Sequence, residues 1–450
     1  VSYNIMARFF KPTKRTVSDT KHKEVTVTRL DHMGAGIAHL DRKPVFIPGL
    51  LPDERALVQL TESKKQYARA KVIKRLSDSP ERITPQCPVY DQCGGCNLQH
   101  LSHSAQIAAK QQSLGELITK FALAGETATA DVLTQDQPVT GESWQYRRSA
   151  RFSLKIESEK TLTFGFRKEQ SKAIVDITDC PVLARPLNAL LLPLRELLSR
   201  LQGRRNLGHV ELVEADNGPV VLIRHIKPFS DPDMTQIQQF ADKHHVMLFL
   251  APDTEQWVQI SGEAPYYEVE GMKLNFSPKD FIQVNRLVNE QMVAQALSWL
   301  DIQPEDRVLD LFCGLGNFSL PLAASAREVV GVEGVEPMVQ RASENAARNQ
   351  LTNAAFYQGN LEDGIASFSW AKEGFDKVLL DPARAGAAGV MAQVAALSPS
   401  RILYVSCNPA TLARDSQVLL QQGYQLQRLG MLDMFPHTGH LESMALFTRA

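Results

Sequence analysis

The stretch Val308-Leu-Asp-Leu-Phe-Cys-Gly-Leu-Gly-Asn-Phe-Ser319 decides the fold. Five apolar or acidic residues end at a pair of glycines, and a helical pattern follows. A strand that runs into a Gly-x-Gly turn lets a nucleotide-like ligand approach the backbone, because no side chain stands in its way. Outward from it the same rhythm repeats. Val329-Val-Gly-Val332, Lys377-Val-Leu-Leu380 and Ile402-Leu-Tyr-Val405 are short apolar runs, each followed by a turn and a helical segment. Runs apolar on both faces predict a buried parallel sheet, so residues 273–450 read as an α/β Rossmann-like domain. Ligands in such sheets lie at the carboxyl ends of the strands.

The candidate residues fall at those ends. Gly314 and Gly316 form the turn, and Glu333 closes the next strand, where a carboxylate accepts from ribose hydroxyls. The full Gly-x-Gly-x-x-Gly is missing because position 319 is serine, which argues against a nicotinamide dinucleotide. At the end of the last of these runs, Ser406-Cys-Asn-Pro409 places a thiol where a nucleophile is useful.

The rest of the chain reads differently. Its 450 residues suit two or three domains, with 44% hydrophobic and 22% charged residues. No apolar run is long enough for a membrane span and no signal peptide opens the chain, so a cytoplasmic location is expected. Residues before Met6 carry none of these motifs. Net charge is −1, but residues 1–75 hold sixteen Lys and Arg against seven Asp and Glu, which leaves −10 for the remainder. A basic module on an acidic body predicts nucleic-acid docking. Within it, Val25–Thr28, Val45–Ile47, Ala56–Leu60 and Ala68–Ile73 read as strands of a small OB-like barrel over 17–78. Lys64, Lys65, Arg69, Lys71 and Lys74 are candidates for phosphate contacts. Residues 79–272 mix helices (Ser104–Ala122, Ala184–Leu201) and strands (Ala150–Ile156, Val210–Glu214, Val220–His225), a central α+β domain.

Cys87, Cys93 and Cys96, with Cys180 farther on, supply four soft ligands. Spacing alone favours zinc over an iron–sulfur cluster.

Taken together, these motifs resemble known families. Gly34-Ala-Gly-Ile-Ala38, Val45-Phe-Ile-Pro-Gly49 and Tyr67-Ala-Arg-Ala70 resemble the TRAM domain, an RNA-binding barrel. Phe281-Ile-Gln-Val-Asn285, the stretch Asp310–Ser319, Asp381-Pro-Ala-Arg-Ala-Gly386, Ser406-Cys-Asn-Pro409 and Met434-Phe-Pro-His-Thr-Gly-His-Leu-Glu442 resemble the motifs of the RNA uracil-C5 methyltransferases, in order. The combination with the barrel and the cysteines resembles the branch acting on 23S ribosomal RNA at U1939.

The resemblance implies S-adenosylmethionine as cofactor, held by Gln283, Phe312, Gly314, Gly316, Asn317, Glu333, Asn360 and Asp381. It implies a [4Fe–4S] cluster on Cys87, Cys93, Cys96 and Cys180, reversing the preference for zinc. It implies Cys407 as the nucleophile that adds to carbon 6 of uracil. Glu442 is then the base that removes the carbon 5 proton, with His437 and His440 as competitors. The thiol is expected to need a nearby positive charge to ionise, of a source the sequence does not identify. Cys313, inside the cofactor turn, reads as structural. The partner is 23S rRNA with its target uridine unpaired or flipped; no obligate protein partner is implied. Three alternatives stand beside this: another RNA target, a radical methylthiotransferase (whose Cys-x3-Cys-x2-Cys motif is absent), and a non-catalytic RNA-binding protein.

Overall fold

A computed structural model describes residues 21–122, 135–158, 161–169, 171–253, 256–361 and 364–449. The expected start of the barrel at residue 17, and the segment before Met6, lie outside the described residues.

The N-terminal unit is a six-stranded sheet curled on itself: β1 (Lys23–Thr26), β2 (Arg29–Leu30), β3 (Gly36–Leu40), β4 (Lys43–Ile47), β5 (Arg55–Ser63) and β6 (Ala68–Arg75), in the order β1-β5-β6-β4-β3-β2. Its core holds Val25, Val45, Ile47, Val58 and Ala68. Along β6, Ala68 and Ala70 point inward while Arg69 and Lys71 are exposed, the alternation a half-buried strand imposes, and a register shift against β5 past Val72 leaves Lys74 exposed as well. The basic residues therefore share an outer face, where Glu62 offsets Arg69 and Lys64.

The central unit is a seven-stranded sheet of β7 (Ser149–Ser158), β8 (Thr161–Arg167), β9 (Ile174–Asp176), β10 (Leu207–Ala215), β11 (Gly218–His225), β12 (Met247–Ala251) and β13 (Val258–Ser261). The helix predicted over Ala184–Leu201 is two helices, α2 (Arg185–Ala189) and α3 (Leu191–Arg200). Pro193 is the reason: it has no N–H to bond back to Ala189, so the first helix stops there. The α4 helix (Asp231–His244) flanks the same sheet, with Ile237 and Phe240 in its core.

The α1 helix (His103–Phe121) departs from the expected partition. It lies within the segment assigned to the central domain, yet Leu114 and Ile118 are buried with Leu309, Val330 and Met391 of the C-terminal core. Its face is therefore part of the C-terminal packing.

A two-stranded hairpin, β14 (Tyr266–Val269) and β15 (Met272–Asn275), leads into the C-terminal unit. That unit is a sheet of β16 (Arg307–Leu311), β17 (Glu328–Glu333), β18 (Ala354–Gln358), β19 (Lys377–Leu380), β20 (Arg401–Ser406), β21 (Tyr424–Leu432) and β22 (Glu442–Arg449). Its order is β18-β17-β16-β19-β20-β22-β21, parallel except for β22, which pairs antiparallel with both neighbours. The helices α5 (Arg286–Leu300), α6 (Ser319–Ala323), α7 (Glu336–Arg348), α8 (Ala388–Ala396) and α9 (Pro409–Gln421) pack around it. Strand order reverses at β16, which leaves a crevice beyond the carboxyl ends of β16 and β19. Among the described residues no helix is long and apolar enough to cross a membrane.

Candidate active site

After β16 the chain turns sharply. Phe312 (φ +65°), Gly314 (φ +57°) and Gly316 (φ +99°) all take the left-handed conformation. The Phe312 and Cys313 amides bond the Val332 carbonyl, and Gly314 N–H donates to Glu333 Oε2 at 3.2 Å. The other Glu333 oxygen accepts from Val335 N–H at 3.0 Å, so the carboxylate is fixed beside the turn. A Cβ on Gly316 would fall 2.1 Å from Leu320 Cδ1, in a backbone conformation that already disfavours side chains. Gly316→Ala is therefore expected to deform the turn, at a strain cost of about 1–3 kcal/mol. Affinity for S-adenosylhomocysteine, measured by calorimetry, should drop at least ~10-fold, a loss of about 1.4 kcal/mol.

Asn317 turns its amide inward: its Oδ1 accepts from Tyr267 Oη at 3.0 Å and from Asn289 Nδ2 at 3.1 Å. In this arrangement it ties the turn to α5 and the hairpin from behind. Gln283 is placed by its carbonyl, which accepts from Arg148 Nε at 2.7 Å. Asn360 is exposed just past β18, two residues beyond its end.

Beneath the turn the charge is concentrated. Asp310 is fully buried; Ser319 Oγ donates to its Oδ2, and Oδ1 has no hydrogen-bond partner among the described residues. Burial raises its pKa to about 7, the Ser319 bond opposes this, and the carboxylates of Asp381 and Glu333 add to the rise. Burial likewise raises Asp381 to about 7. A buried carboxylate oxygen without a donor, in a nest of acids beside a glycine turn, fits a ligand that carries positive charge.

Cys407 and Glu442 meet through the sheet. Ser406 of β20 pairs with Ser443 of β22, so the next position along β20 faces the residue that opens β22. Asn408 caps α9, accepting from Ala410 N–H at 3.1 Å, and its Nδ2 donates to Arg384 O at 3.1 Å, which pins the Asp381–Gly386 loop beside the thiol. The neighbourhood is acidic. Burial raises the Cys407 thiol to about 11, with Glu442 and Asp381 adding to it and Arg384 opposing. Burial and the Asp381 charge raise Glu442 to about 8, against Lys110 and Arg384.

The expected positive neighbour is thus Arg384, present in the quoted Asp381–Gly386 motif but given no role by the sequence reading. In the ligand-free site it is outweighed by carboxylates, so Cys407 rests as a thiol. The competing bases are less apt. His437 stacks on Trp144 with ring centroids 3.8 Å apart, and burial together with the His103 charge lowers its pKa to about 4. Burial and the charge of Arg384 also lower His440. Cys313 is buried, its thiol pushed well above the ordinary range by burial and the Asp310 charge.

Three of the four remaining cysteines pack in or against the core of the central sheet. Cys180 lies in its core with Cys93 and Cys96 packed against it. Their charges are mutually felt. Burial, then the Cys96 and Cys87 thiols, raise Cys180 to about 12, and burial, with Cys93 and Cys87 contributing, raises Cys96 to about 11. A set of thiols that discourage one another's ionisation suits a cation between them. Among the described residues, however, no three His, Cys, Asp or Glu side chains stand close enough together to hold a metal ion.

Residues 102–450 match the family model described as tRNA (Uracil-5-)-methyltransferase, and residues 20–73 match the TRAM domain. A Photobacterium profundum protein named 23S rRNA (uracil(1939)-C(5))-methyltransferase RlmD is 63% identical, over 99% of this chain and 97% of its own. Its Aliivibrio fischeri namesake is 57% identical, over 99% of this chain and all of its own. The crystal structure of Pyrococcus abyssi tRNA (uracil-54, C5)-methyltransferase with S-adenosyl-L-homocysteine superposes with a TM-score of 0.72 at 22% identity, over 95% of this chain and 100% of that one, a likeness of fold. The chain, with a TRAM barrel ahead of a methyltransferase sheet, belongs to the family of RNA uracil-C5 methyltransferases.

Proposed function

We propose that this chain methylates carbon 5 of U1939 in 23S ribosomal RNA, in the cytoplasm, with S-adenosylmethionine as donor. The names of its relatives support the substrate. The single observation that carries the chemistry is the β20–β22 register, which pairs Ser406 with Ser443 and so brings the backbone positions of Cys407 and Glu442 side by side. S-adenosylmethionine supplies an electrophilic methyl group on a positively charged sulfur. The residues that would hold it are Gln283, Phe312, Gly314, Gly316, Asn317, Glu333, Asn360 and Asp381, near Asp310 Oδ1, which has no hydrogen-bond partner among the described residues.

Uracil is too electron-poor at carbon 5 to attack an alkyl donor. The Cys407 sulfur adds to carbon 6, and the electron pair displaced from the ring double bond makes carbon 5 nucleophilic. Once carbon 5 holds the methyl group, Glu442 takes the proton that remains there. The electrons of that C–H bond restore the double bond and the sulfur leaves carbon 6. Arg384, whose field reaches both Cys407 and Glu442, favours the ionised form of each. The target uridine must leave its stack to reach this crevice, and the basic outer face of the barrel offers phosphate contacts.

Incubation with a 23S rRNA fragment spanning U1939 and labelled S-adenosylmethionine should place one methyl group on that uridine. Label at another uridine would overturn the substrate, and no label at all would favour an RNA-binding role.

Cys87, Cys93, Cys96 and Cys180 are proposed to hold a [4Fe–4S] cluster, on the resemblance of their sequence motifs and on the packing of Cys93 and Cys96 against the core that contains Cys180. With all four as ligands the cluster has no open position, and its contribution is to neutralise the thiolates and fasten the loop Cys87–Cys96 to the central sheet. Cys96→Ser should cut iron content, remove the visible absorbance of the purified protein and lower its melting temperature by several degrees. Zinc in place of iron would return the site to the reading that spacing alone favoured.

A further inference from the structure

The connection between β21 and β22, residues 433–441, contains the histidines that compete with Glu442 and ends on Glu442 itself. It is held from outside the C-terminal sheet. Gln106 of α1 is fully buried, and its amide spans the connection: Oε1 accepts from His437 N–H at 2.8 Å, and Nε2 lies 3.1 Å from His437 Nδ1. The same Nε2 donates to Leu98 O at 3.0 Å and Leu101 O at 2.9 Å. Leu98 and Asn97 return two N–H donors to His437 O, at 2.9 and 3.1 Å, and Asn97 Oδ1 accepts from Gly439 N–H at 2.8 Å. His437 is held at φ +63°, a conformation non-glycine residues adopt only when their surroundings dictate it. The loop after Cys96 therefore grips the connection at His437 and Gly439, and α1 holds it at Asp433 and Phe435 through His103 and Lys110; Gln106 is the side chain that ties loop and helix together at His437.

We propose that Gln106 is a positioning residue for Glu442, acting through His437 to keep the 433–441 connection closed against the thiol. Glu442 begins a strand whose backbone the sheet fixes, and the connection runs directly into it. His440, on that connection, shares the field of Arg384 with Cys407 and Glu442. Loosening the grip lets the connection lift, admits water and frees the carboxyl to swing. A displacement of about 1 Å costs on the order of 100-fold in a step that depends on orientation.

The proposal rests on Glu442 being the base, and its signature is specific to that step. Proton removal from carbon 5 is the event that releases sulfur from carbon 6. A misplaced base therefore leaves the methylated uridine bound to Cys407, whereas general loss of folded protein leaves less of every species.

The test compares full-length enzyme, Gln106→Met, Gln106→Glu and Glu442→Gln on the U1939 fragment, reading adduct resistant to denaturing gels alongside turnover. Gln106→Met, which keeps the volume and removes both hydrogen-bonding ends, should turn over at least ~10-fold more slowly and accumulate adduct. Gln106→Glu keeps the acceptor for His437 N–H and should accumulate less. Gln112→Met, on an exposed position of the same helix, is the control and should behave as the parent.

If Gln106→Met and Gln106→Glu lose turnover in proportion to the folded fraction, with no adduct while Glu442→Gln shows it, Gln106 is structural only and the proposal is wrong. If Glu442→Gln shows no adduct either, the assignment of the base has failed instead. Should Gln106→Met fold poorly, Gln106→Glu alone decides between the two.

Discussion

Cys407→Ala is expected to abolish methyl transfer, by on the order of 10⁴-fold or more, while the protein still binds S-adenosylhomocysteine with unchanged affinity. The side chain lies at the end of β20 and is half buried, so truncation leaves a small void at the crevice and little loss of stability. What it removes is the only proposed way of making carbon 5 of uracil nucleophilic. Cys407→Ser should fare no better, because a hydroxyl ionises far less readily than a thiol and adds poorly to a conjugated ring. The resting thiol also predicts slow alkylation of Cys407 at neutral pH in the free enzyme, since Glu442 and Asp381 oppose its ionisation. With 5-fluorouridine in place of the target, a stable protein–RNA adduct should form in the parent enzyme and not in either variant, because fluorine cannot leave as a proton. Turnover within tenfold of the parent would remove covalent addition from the mechanism.

Glu442→Gln should stop the cycle one step later. Methyl transfer proceeds once, and the product stays attached to Cys407 as a complex that survives denaturation. General-base removal of this kind contributes about 10²–10⁴-fold, so release should slow by that range. The groups facing Glu442 are Asp381, which raises its pKa, and Lys110 and Arg384, which lower it; burial dominates, to about 8. The base works only when ionised. The release step should therefore quicken as pH rises and level off above about 8, and the variant should lack that limb.

Stability moves the other way. A carboxyl raised from 4.5 to about 8 contributes stability that is full below pH 4.5 and lost as pH rises through 8. Glutamine stays neutral, so Glu442→Gln should melt higher than the parent at pH 9 and equally at pH 4, as differential scanning calorimetry would record.

Much of the C-terminal fold was legible because a buried parallel sheet writes itself as apolar runs. Each of the four runs read from the sequence is a strand, and the glycine turn adopts the left-handed conformations that its glycines permit. The convergence of Cys407 with Glu442 was legible only through resemblance, since nothing local marks β22 as sitting between β20 and β21. Three features were hidden. The break at Leu190 rests on a single proline inside a strong helical pattern. The place of α1 in the C-terminal core follows from long-range packing that no periodicity encodes. The grip on His437 joins Gln106 to a residue 331 positions away, and neither is conspicuous as a sequence signal. The thiol was expected to need a positive charge of unidentified source; Arg384 is that neighbour, and Asp381 and Glu442 act on the thiol along with it.

Because Ser406 and Ser443 are ladder partners, the spacing between the backbones that carry nucleophile and base is fixed by main-chain hydrogen bonds. Side chains along β20 and β22 can be exchanged for others of similar size without changing that distance. A single inserted or deleted residue in either strand cannot be absorbed so easily, because a slip of one position turns every following side chain to the opposite face. Genetic drift in this region should therefore be rich in replacements and almost bare of length changes.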